Sequence, residues 1–143
     1  MKTPPLSGEK EDARGAVPPP RGKGELILLV EDSTAARQVL AATLRQLGYG
    51  VVCASQGKEA LRLLKKEREI GLVISDWIMP LMGGVELAQR LRDQRSTTPI
   101  LLISGYPTTP QELNDPFLQP IHYMTKPFTL SGLANKLREL LDA

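Results

Sequence analysis

The sequence contains few cysteine, histidine and aromatic residues, and it has no long apolar run. Its 143 residues include one cysteine, one histidine and one tryptophan, and aromatic residues make up 4% of the chain. A lone cysteine cannot form an internal disulfide, which fits a reducing cytoplasm, and we expect Cys53 to be a buried structural thiol. No apolar stretch approaches the roughly 20 residues of a membrane span, and the N-terminus lacks the apolar core of a signal peptide. We therefore predict a cytoplasmic protein that makes no membrane contact.

An excess of charge of one sign is also missing. The chain has 18 lysine and arginine residues against 16 aspartate and glutamate residues, which gives a net charge of +2. This balance lacks the strong electrostatic footprint of nucleic-acid-binding proteins, so we expect no nucleic-acid partner. The hydrophobic content of 41% suffices for a core, and the length fits one domain.

The first 23 residues differ in composition from the rest of the chain. They hold scattered charges and prolines at positions 4, 5 and 18–20, with too few apolar residues to offset the entropy of ordering them. We predict a linker or tail over residues 1–23. The triple proline could bind a polyproline reader, but three prolines beside a domain more often form a stiff spacer.

From residue 24 to residue 143, strand-like and helix-like patterns alternate five times. Such alternation indicates an α/β fold, with a parallel sheet and crossover helices on both faces. The apolar runs near residues 26–30, 72–75 and 100–103 are continuous, as expected of central strands covered on both faces, and residues 51–54 form another predicted strand. We therefore predict one doubly wound domain over residues 24–143.

The first predicted helix is capped by Ser33 and Thr34 and ends at Gly48. Its period of 3.6 residues predicts an inward face. That face consists of Ala36, Val39, Leu40, Thr43, Leu44 and Leu47.

Three further segments show helical periodicity. One runs from Gly57 to about Arg68, one is marked by apolar residues from Val85 to Leu91 with Arg92, and the last covers Leu130–Leu141. Between Gly105 and Ile121, prolines at positions 107, 110, 116 and 120 each remove a backbone donor and restrict the preceding residue. Any fourth helix there should be short or irregular.

Chemistry-bearing residues follow four of the predicted strands. Because the carboxyl ends of parallel strands lie at one edge of an open α/β sheet, where ligands bind, we expect these residues to meet. They are Glu31, Asp32, Asp76, Ser104 and Lys126.

This set suits an aspartate that accepts a phosphoryl group. Asp32 and Asp76 are oxygen ligands of the kind that Mg²⁺ prefers, and Glu31 can reach the ion directly or through a bound water. Lys126 would bring a positive charge to one phosphate oxygen, and the Ser104 hydroxyl would donate a hydrogen bond to another. Metal and ammonium together neutralise the charge that otherwise opposes attack by a carboxylate, so Asp76 is the predicted nucleophile.

Each of these residues also has an ordinary structural interpretation. Acidic residues after a strand commonly cap the next helix, so Glu31 and Asp32 alone would be interpreted as caps. Ser104 alone is a common turn residue, and Lys126 before a proline is a common surface residue. Their joint occurrence with Asp76 at adjacent strand ends favours the chemical interpretation.

Four motifs, taken in order, resemble those of the response-regulator receiver domain of two-component signalling. The resemblance spans about residues 24–143, and the combination is far more specific than any one motif. The motifs are Val30-Glu31-Asp32, Ser75-Asp76-Trp77-Ile78-Met79-Pro80, Ile103-Ser104-Gly105-Tyr106 and Lys126-Pro127-Phe128.

The resemblance implies a five-stranded flavodoxin-like fold and phosphoryl transfer from a phosphohistidine to Asp76. It implies Mg²⁺, for which Mn²⁺ could substitute, held by Asp32, Asp76 and the backbone carbonyl of Ile78, with Glu31 acting through water. It also implies that Ser104 moves toward the phosphoryl group while Tyr123 turns inward as a switch aromatic.

Partners follow from the same resemblance. The phosphodonor would be a histidine kinase or a histidine phosphotransfer protein, and the chain would be a stoichiometric phosphoacceptor that catalyses its own phosphorylation and slow hydrolysis, not an enzyme with separate turnover. Dimerisation through the last strand and helix is an option that composition leaves open.

Some positions depart from the family's common pattern. Glu31 replaces the aspartate often found first in the acidic pair, and Gly83 stands where an aspartate often precedes a glycine. The proline-laden segment after Ser104 occupies the place of a fourth helix, which puts output through a regular helix in doubt. Ile78 and Tyr106, two residues beyond Asp76 and Ser104, flank the expected path of an attacking water and are predicted to tune the phosphoryl lifetime.

The parent protein and two other function classes stay open. The chain resembles the C-terminal receiver of a hybrid sensor histidine kinase, and a free-standing single-domain regulator fits nearly as well.

A haloacid-dehalogenase-type phosphohydrolase needs a second aspartate two residues after its nucleophile, and Ile78 stands there after Asp76. An interaction module that is never phosphorylated would be marked by loss of a cluster residue, and none is lost. A nucleotide-binding protein is disfavoured because the first strand leads into Glu-Asp-Ser-Thr and not into a glycine-rich loop.

Overall fold

The computed structural model describes residues 18–94, 96–106 and 109–143. Its elements, in chain order, are β1 Leu26–Val30, α1 Thr34–Gln46, β2 Gly50–Ala54, α2 Gly57–Lys66, β3 Ile70–Asp76, α3 Gly84–Asp93, β4 Ile100–Ser104, β5 Ile121–Thr125 and α4 Leu130–Leu141. The five strands form one parallel sheet in the order β2-β1-β3-β4-β5, which confirms the predicted doubly wound, flavodoxin-like fold. The strand order reverses between β1 and β3, and the carboxyl ends of these strands therefore border a crevice suited to a ligand.

The sheet separates two apolar clusters, because successive side chains of a strand point to opposite faces. On one side, Ile27 and Leu29 of β1 pack with residues of α1 and α4; on the other, Leu28 and Val30 pack with residues of α2 and α3. All four of these side chains are buried. The continuous apolar runs of the sequence thus mark strands covered on both faces, as predicted.

The prediction for α1 is confirmed at its ends and wrong at one inward position. The Ser33 hydroxyl accepts a hydrogen bond from the Ala36 N–H and caps the helix, and Gly48 follows the helix with φ of +102°, a left-handed conformation that glycine adopts freely. Val39 was expected to point inward, yet it is 55% exposed. The helix packs on the sheet over a stripe narrower than its apolar face, and Val39 lies at the edge of that stripe.

The link between β4 and β5 contains no regular α-helix in its described part, residues 105–106 and 109–120. Two short 3₁₀ helices, Gln111–Asn114 and Pro116–Leu118, occupy it, which confirms the prediction of a short or irregular fourth helix. Leu118 is fully buried against the α2–α3 side of the core. Arg92 at the end of α3 is also buried, and its guanidinium donates to the carbonyls of Leu118 and Pro120 at 3.0 and 2.8 Å.

The predicted tail lies mostly outside the described residues. Within them, the Gly22 N–H donates to the Leu47 carbonyl at 2.7 Å, and a Cβ at Gly22 would approach the Tyr49 ring to 2.6 Å. The chain therefore contacts the domain shortly before residue 24, and the division at 23/24 stays a prediction.

Two smaller predictions concern Cys53 and membrane contact. Cys53 is only partly buried in β2, because β2 is an edge strand, so the expectation of a fully buried thiol is wrong. None of the helices in the described part of the chain has the length and hydropathy that crossing a bilayer requires.

Candidate functional site

The three-residue link between β1 and α1 carries two carboxylates. Glu31 is 6% exposed, and its N–H donates to the Ala54 carbonyl at 3.1 Å, which continues the pairing of β1 with β2. Its carboxylate accepts the Ser33 N–H at 2.9 Å. Asp32, the next residue, is exposed at the mouth of the site. Ser33 therefore caps α1, and neither carboxylate is the cap of this helix.

Asp76 ends β3 beside this link, where close packing of α3 confines it. The Gly84 N–H donates to the Trp77 carbonyl at 2.8 Å, and a Cβ at Gly84 would lie 2.6 Å from the Asp76 carbonyl oxygen. Only glycine lets α3 begin so near the acceptor strand. Asp76 is half-buried, and its position between β1 and β4 places its carboxylate at the centre of the strand-end edge.

The three carboxylates have the donor set of a divalent-cation site. Glu31, Asp32 and Asp76 each offer an oxygen, and these oxygens lie within 4.8 Å of one another. Three negative charges at such distances repel one another unless a cation or a proton neutralises part of the charge. Mg²⁺ binds through a few carboxylates and keeps several waters, so the residues present fit this ion.

The pKa of Glu31 reflects its burial and the closeness of the other carboxylates in the cluster. Burial, together with a hydrogen bond and charge repulsion from Asp76, raises the pKa of the Glu31 carboxyl to about 7, against the opposing effects of the Ser33 N–H and Lys126. In the folded, metal-free protein Glu31 therefore holds its proton to higher pH than in the unfolded chain. The contribution of Glu31 to the free energy of unfolding is fully present below pH about 4.5 and is lost as the pH rises through about 7.

Replacement of Glu31 by glutamine is expected to stabilise the metal-free protein at high pH. The amide carries no charge and can still accept the Ser33 N–H, so in chelator at pH 8 we expect the free energy of unfolding to rise by about 1–2 kcal/mol, with little gain at pH 5. Urea denaturation at both pH values measures the effect. The control is Glu69→Gln, since Glu69 is exposed outside the cluster. An equal change at both pH values would contradict the assignment of this titration to Glu31.

Lys126 and Ser104 reach the same edge from β5 and β4. The Lys126 ammonium lies 3.5 Å from an Asp76 carboxylate oxygen, and its backbone N–H donates to the Ser104 carbonyl at 2.8 Å. Ser104 is buried at the end of β4, one residue beyond the partner of Asp76 in the β3–β4 register. The structure thus brings the five strand-end residues predicted from the sequence to one edge of the sheet.

The backbone of Tyr106 links Ser104 to Tyr123. The Tyr106 N–H donates to the Ser104 hydroxyl oxygen at 3.0 Å, and the Tyr106 carbonyl accepts the Tyr123 hydroxyl at 2.6 Å. Trp77 packs edge-to-face against both tyrosine rings, at centroid distances of 6.1 Å to Tyr106 and 5.9 Å to Tyr123. Hydrogen bonds thus connect the Ser104 hydroxyl, the Tyr106 backbone and the Tyr123 hydroxyl in one chain.

Two large side chains are exposed near the acceptor. Ile78 and Tyr106 both have more than half of their surface exposed. Their exposure fits the predicted role in controlling water access, which stays a prediction, as does the assignment of the Ile78 carbonyl to the metal.

A cleft of about 450 Å³ opens beside Asp76, between the first half of α1 and the loop after β5. Asp76 and Lys126 stand at its polar end, and Val39 and Phe128 are among the apolar residues that line it. This cleft explains the exposure of Val39, which sequence periodicity placed in the core.

Sequence reasoning also missed Arg37 in α1. Its guanidinium donates to the backbone carbonyl of Glu31 at 2.8 Å. A cation one helical turn after an acidic strand end was the only available signal, and it does not distinguish this contact from an exposed arginine.

Most of the chain is similar to known proteins. Residues 27–138 match the family model described as "Response regulator receiver domain". The chain is 34% identical to "Sensor kinase CckA" of Brucella abortus over 117 residues, covering 81% of the chain and 12% of that kinase, and 32% identical to "Chemotaxis protein CheY homolog" of Campylobacter jejuni over 118 residues, covering 80% of the chain and 91% of that protein. The solved structure of chemotaxis protein CheY4 from Vibrio cholerae is similar at a TM-score of 0.74 and 32% identity, over 82% of this chain and 99% of that one. The chain thus spans a small part of the kinase and nearly all of the chemotaxis protein.

Proposed function

This chain belongs to the response regulator receiver family, and we propose that it accepts a phosphoryl group from a phosphohistidine onto Asp76. The observation that supports this role is the meeting of three carboxylates within 4.8 Å of one another with the Lys126 ammonium 3.5 Å from Asp76. Two-component signalling uses such domains as stoichiometric acceptors. We include self-catalysed hydrolysis of the acyl phosphate in the proposal.

The proposed reaction exchanges one bond at phosphorus. A carboxylate oxygen of Asp76 forms the new P–O bond while the P–N bond to the donor imidazole breaks, and the departing nitrogen takes a proton. Lys126 and the Ser104 hydroxyl would bind phosphoryl oxygens, by charge and by a donated hydrogen bond.

Mg²⁺ is the proposed cofactor, held by Asp32, Asp76 and the Ile78 carbonyl, with Glu31 acting through water; Mn²⁺ would substitute. When bound, the ion neutralises charge on the carboxylates and on the transferring group. Its binding would also remove the repulsion that raises the pKa of Glu31.

The link from Ser104 through Tyr106 to Tyr123 supports a switch. A phosphoryl group on Asp76 would accept a hydrogen bond from the Ser104 hydroxyl, whose oxygen accepts the Tyr106 N–H, so a rotation of that hydroxyl toward the phosphoryl group would weaken or break its contact with Tyr106. The Tyr106 carbonyl holds the Tyr123 hydroxyl, so the loop and the aromatic ring would shift together. The altered surface would lie around Trp77, Tyr106 and Tyr123.

The cleft beside Asp76 supports a helical protein donor. Its lining is largely apolar and it opens next to the acceptor, so an apolar side chain of a histidine kinase or phosphotransfer protein could enter it while the phosphohistidine faces Asp76. Val39, exposed on α1, would contact this donor.

Replacement of Val39 by aspartate is expected to slow transfer from a protein donor by at least about tenfold, because a charge at the cleft must be desolvated on docking. Labelling by acetyl phosphate should be unchanged, since a small donor does not need the cleft. Any phosphorylated histidine kinase that labels the parent protein serves as donor, with Gln38→Asp on the neighbouring exposed position as control. Equal slowing by both variants would indicate a general effect of charge and would remove Val39 from the docking surface.

The relatives support two proposals for the kind of protein in which this receiver occurs. Similarity to a sensor kinase over 12% of that protein supports a receiver attached to a kinase, and similarity over 91% of a chemotaxis protein supports a free-standing regulator. We propose a cytoplasmic receiver over residues 24–143 preceded by a linker over 1–23. Dimerisation through β5 and α4 stays a prediction that size-exclusion chromatography with and without phosphorylation checks.

The test is intact mass after incubation with acetyl phosphate, with Mg²⁺ or with chelator. A gain of about 80 mass units that requires Mg²⁺ would support the proposed chemistry. If acetyl phosphate fails, phosphorylated histidine kinases are tried as donors. A chain that none of them labels would instead favour an interaction module that uses the fold alone.

A further inference from the structure

Glu31 and Asp32 lie in a link of only three residues, and this link is held from two sides. On the strand side, the Glu31 N–H donates to the Ala54 carbonyl at 3.1 Å. On the helix side, the Arg37 guanidinium reaches back along α1 and donates to the Glu31 carbonyl at 2.8 Å. Side chains of a helix lean toward its N-terminus, so an arginine in the second turn is well placed for this contact.

Arg37 is itself anchored at the start of α1. Its N–H donates to the Ser33 carbonyl at 2.9 Å, and its second terminal nitrogen lies 3.4 Å from the Thr34 hydroxyl oxygen. The guanidinium is planar and rigid, so it loses less freedom per hydrogen bond than a lysine would. Arg37 therefore joins the first turns of α1 to the residue that begins the acidic link.

Asp32 depends on this backbone more than its neighbour does. Glu31 receives the Ser33 N–H at its carboxylate, whereas no side-chain hydrogen bond of Asp32 is found among the described residues. The backbone between Glu31 and Ser33 sets the position of the Asp32 Cα and the direction of its Cα–Cβ bond, so a shift of this backbone would move the carboxylate. Mg²⁺ requires nearly ideal octahedral geometry, with oxygens at about 2.0–2.1 Å, so a loose link lowers its affinity.

We propose that Arg37 is a positioning residue for the divalent-cation site, acting through the Glu31 carbonyl on the direction of Asp32. This inference rests on the proposed function for the identity of the cation. Charge alone predicts the opposite result, because a guanidinium near a cation site repels the ion and its removal would tighten binding. The sign of the change in Mg²⁺ affinity therefore separates positioning from simple electrostatics.

The experiment is calorimetric titration of metal-free protein with Mg²⁺, for the parent and for Arg37→Gln. We expect the Kd of the variant to rise about five- to tenfold, the loss of one hydrogen bond from a charged donor. The rate of acetyl phosphate labelling should recover at saturating Mg²⁺, because the acceptor and Lys126 are unchanged. Unfolding in chelator should shift only slightly.

The matched control is Arg45→Gln. Arg45 lies in the same helix and also donates to a backbone carbonyl, that of Val51 at 3.2 Å, but at the opposite end of α1. Its variant should bind Mg²⁺ like the parent. If Arg37→Gln fails to fold, Arg37→Lys is measured instead; it keeps the charge and is expected to weaken binding by about two- to fivefold.

An unchanged or lower Kd for the folded Arg37 variant, or an equal rise for the Arg45 variant, would overturn the inference while leaving the proposed function intact. Failure of the parent protein to bind Mg²⁺ would overturn both.

Discussion

Asp76→Asn is expected to abolish phosphorylation, with no gain of mass under conditions that label the parent fully. An amide oxygen carries no negative charge and is a far weaker nucleophile than a carboxylate, so we expect labelling to fall by at least about a thousandfold. The substitution keeps the shape of the side chain. It also removes a charge that repels Glu31, so the loss should not come from unfolding.

Intact mass after incubation with acetyl phosphate and Mg²⁺ measures this effect, and urea denaturation of the same sample verifies the fold. Asp93→Asn is the control, because Asp93 is an exposed aspartate at the end of α3. Labelling of the Asp76 variant would show that another residue accepts the phosphoryl group. Peptide mapping would then test Asp32, the exposed neighbour in the cluster.

Arg92→Met is expected to cause the largest loss of stability, about 3–5 kcal/mol. Arg92 is 7% exposed, and its guanidinium makes four hydrogen bonds to backbone carbonyls between 2.8 and 3.0 Å. Methionine keeps an unbranched apolar stem but donates no hydrogen bond, so buried carbonyls would lose their donors. The acceptors are Ser96, Thr98, Leu118 and Pro120.

Two of these carbonyls, those of Leu118 and Pro120, lie in the β4–β5 link and help to hold it in place without a regular helix, while those of Ser96 and Thr98 lie in the loop before β4. A helix satisfies its own backbone groups, whereas an irregular segment needs donors from elsewhere. Arg92 supplies them at Leu118 and Pro120, just before β5, so its loss should also speed hydrogen exchange in residues 109–120.

Arg90→Met is the matched control two residues earlier in α3. Among the described residues, Arg90 pairs with the exposed Glu86 at 2.9 Å, one helical turn away, and its replacement should change stability by less than about 0.5 kcal/mol. The loss of stability for Arg92→Lys should lie between those of Arg92→Met and Arg90→Met, because one ammonium group cannot reach four carbonyls. A loss below about 1 kcal/mol for Arg92→Met in urea denaturation would contradict this account.

The strands and the site were largely predictable from the sequence. Strands buried on both faces need continuous apolar runs, and crossover helices force those strands to be parallel, so the residues after them share one edge. Asp76 and Lys126 could therefore be paired from sequence although 50 positions separate their numbers. The prolines after Ser104 likewise predicted that no regular helix forms there, because each proline removes a backbone donor and restricts the residue before it.

Tertiary packing decided the rest. Periodicity gives the direction of Val39 from the α1 axis, but the exposed fraction of its side chain depends on how far the loop after β5 extends over that helix, and this loop leaves a cleft. The burial of Arg92 follows from carbonyls 26 and 28 positions away, which no local pattern encodes. The raised pKa of Glu31 comes first from burial, a property of the assembled fold.

The sequence by itself determined the order of elements, the edge where the chemistry lies and the residue types that carry it, since these depend on chain-local periodicity and on the rules of parallel sheets. Only the tertiary structure decided the distances within the carboxylate cluster, the contact of Arg37 with Glu31 and the route from Ser104 to Tyr123. Hydrogen bonds and desolvation act between groups that meet only after folding, and they depend on separations of fractions of an ångström.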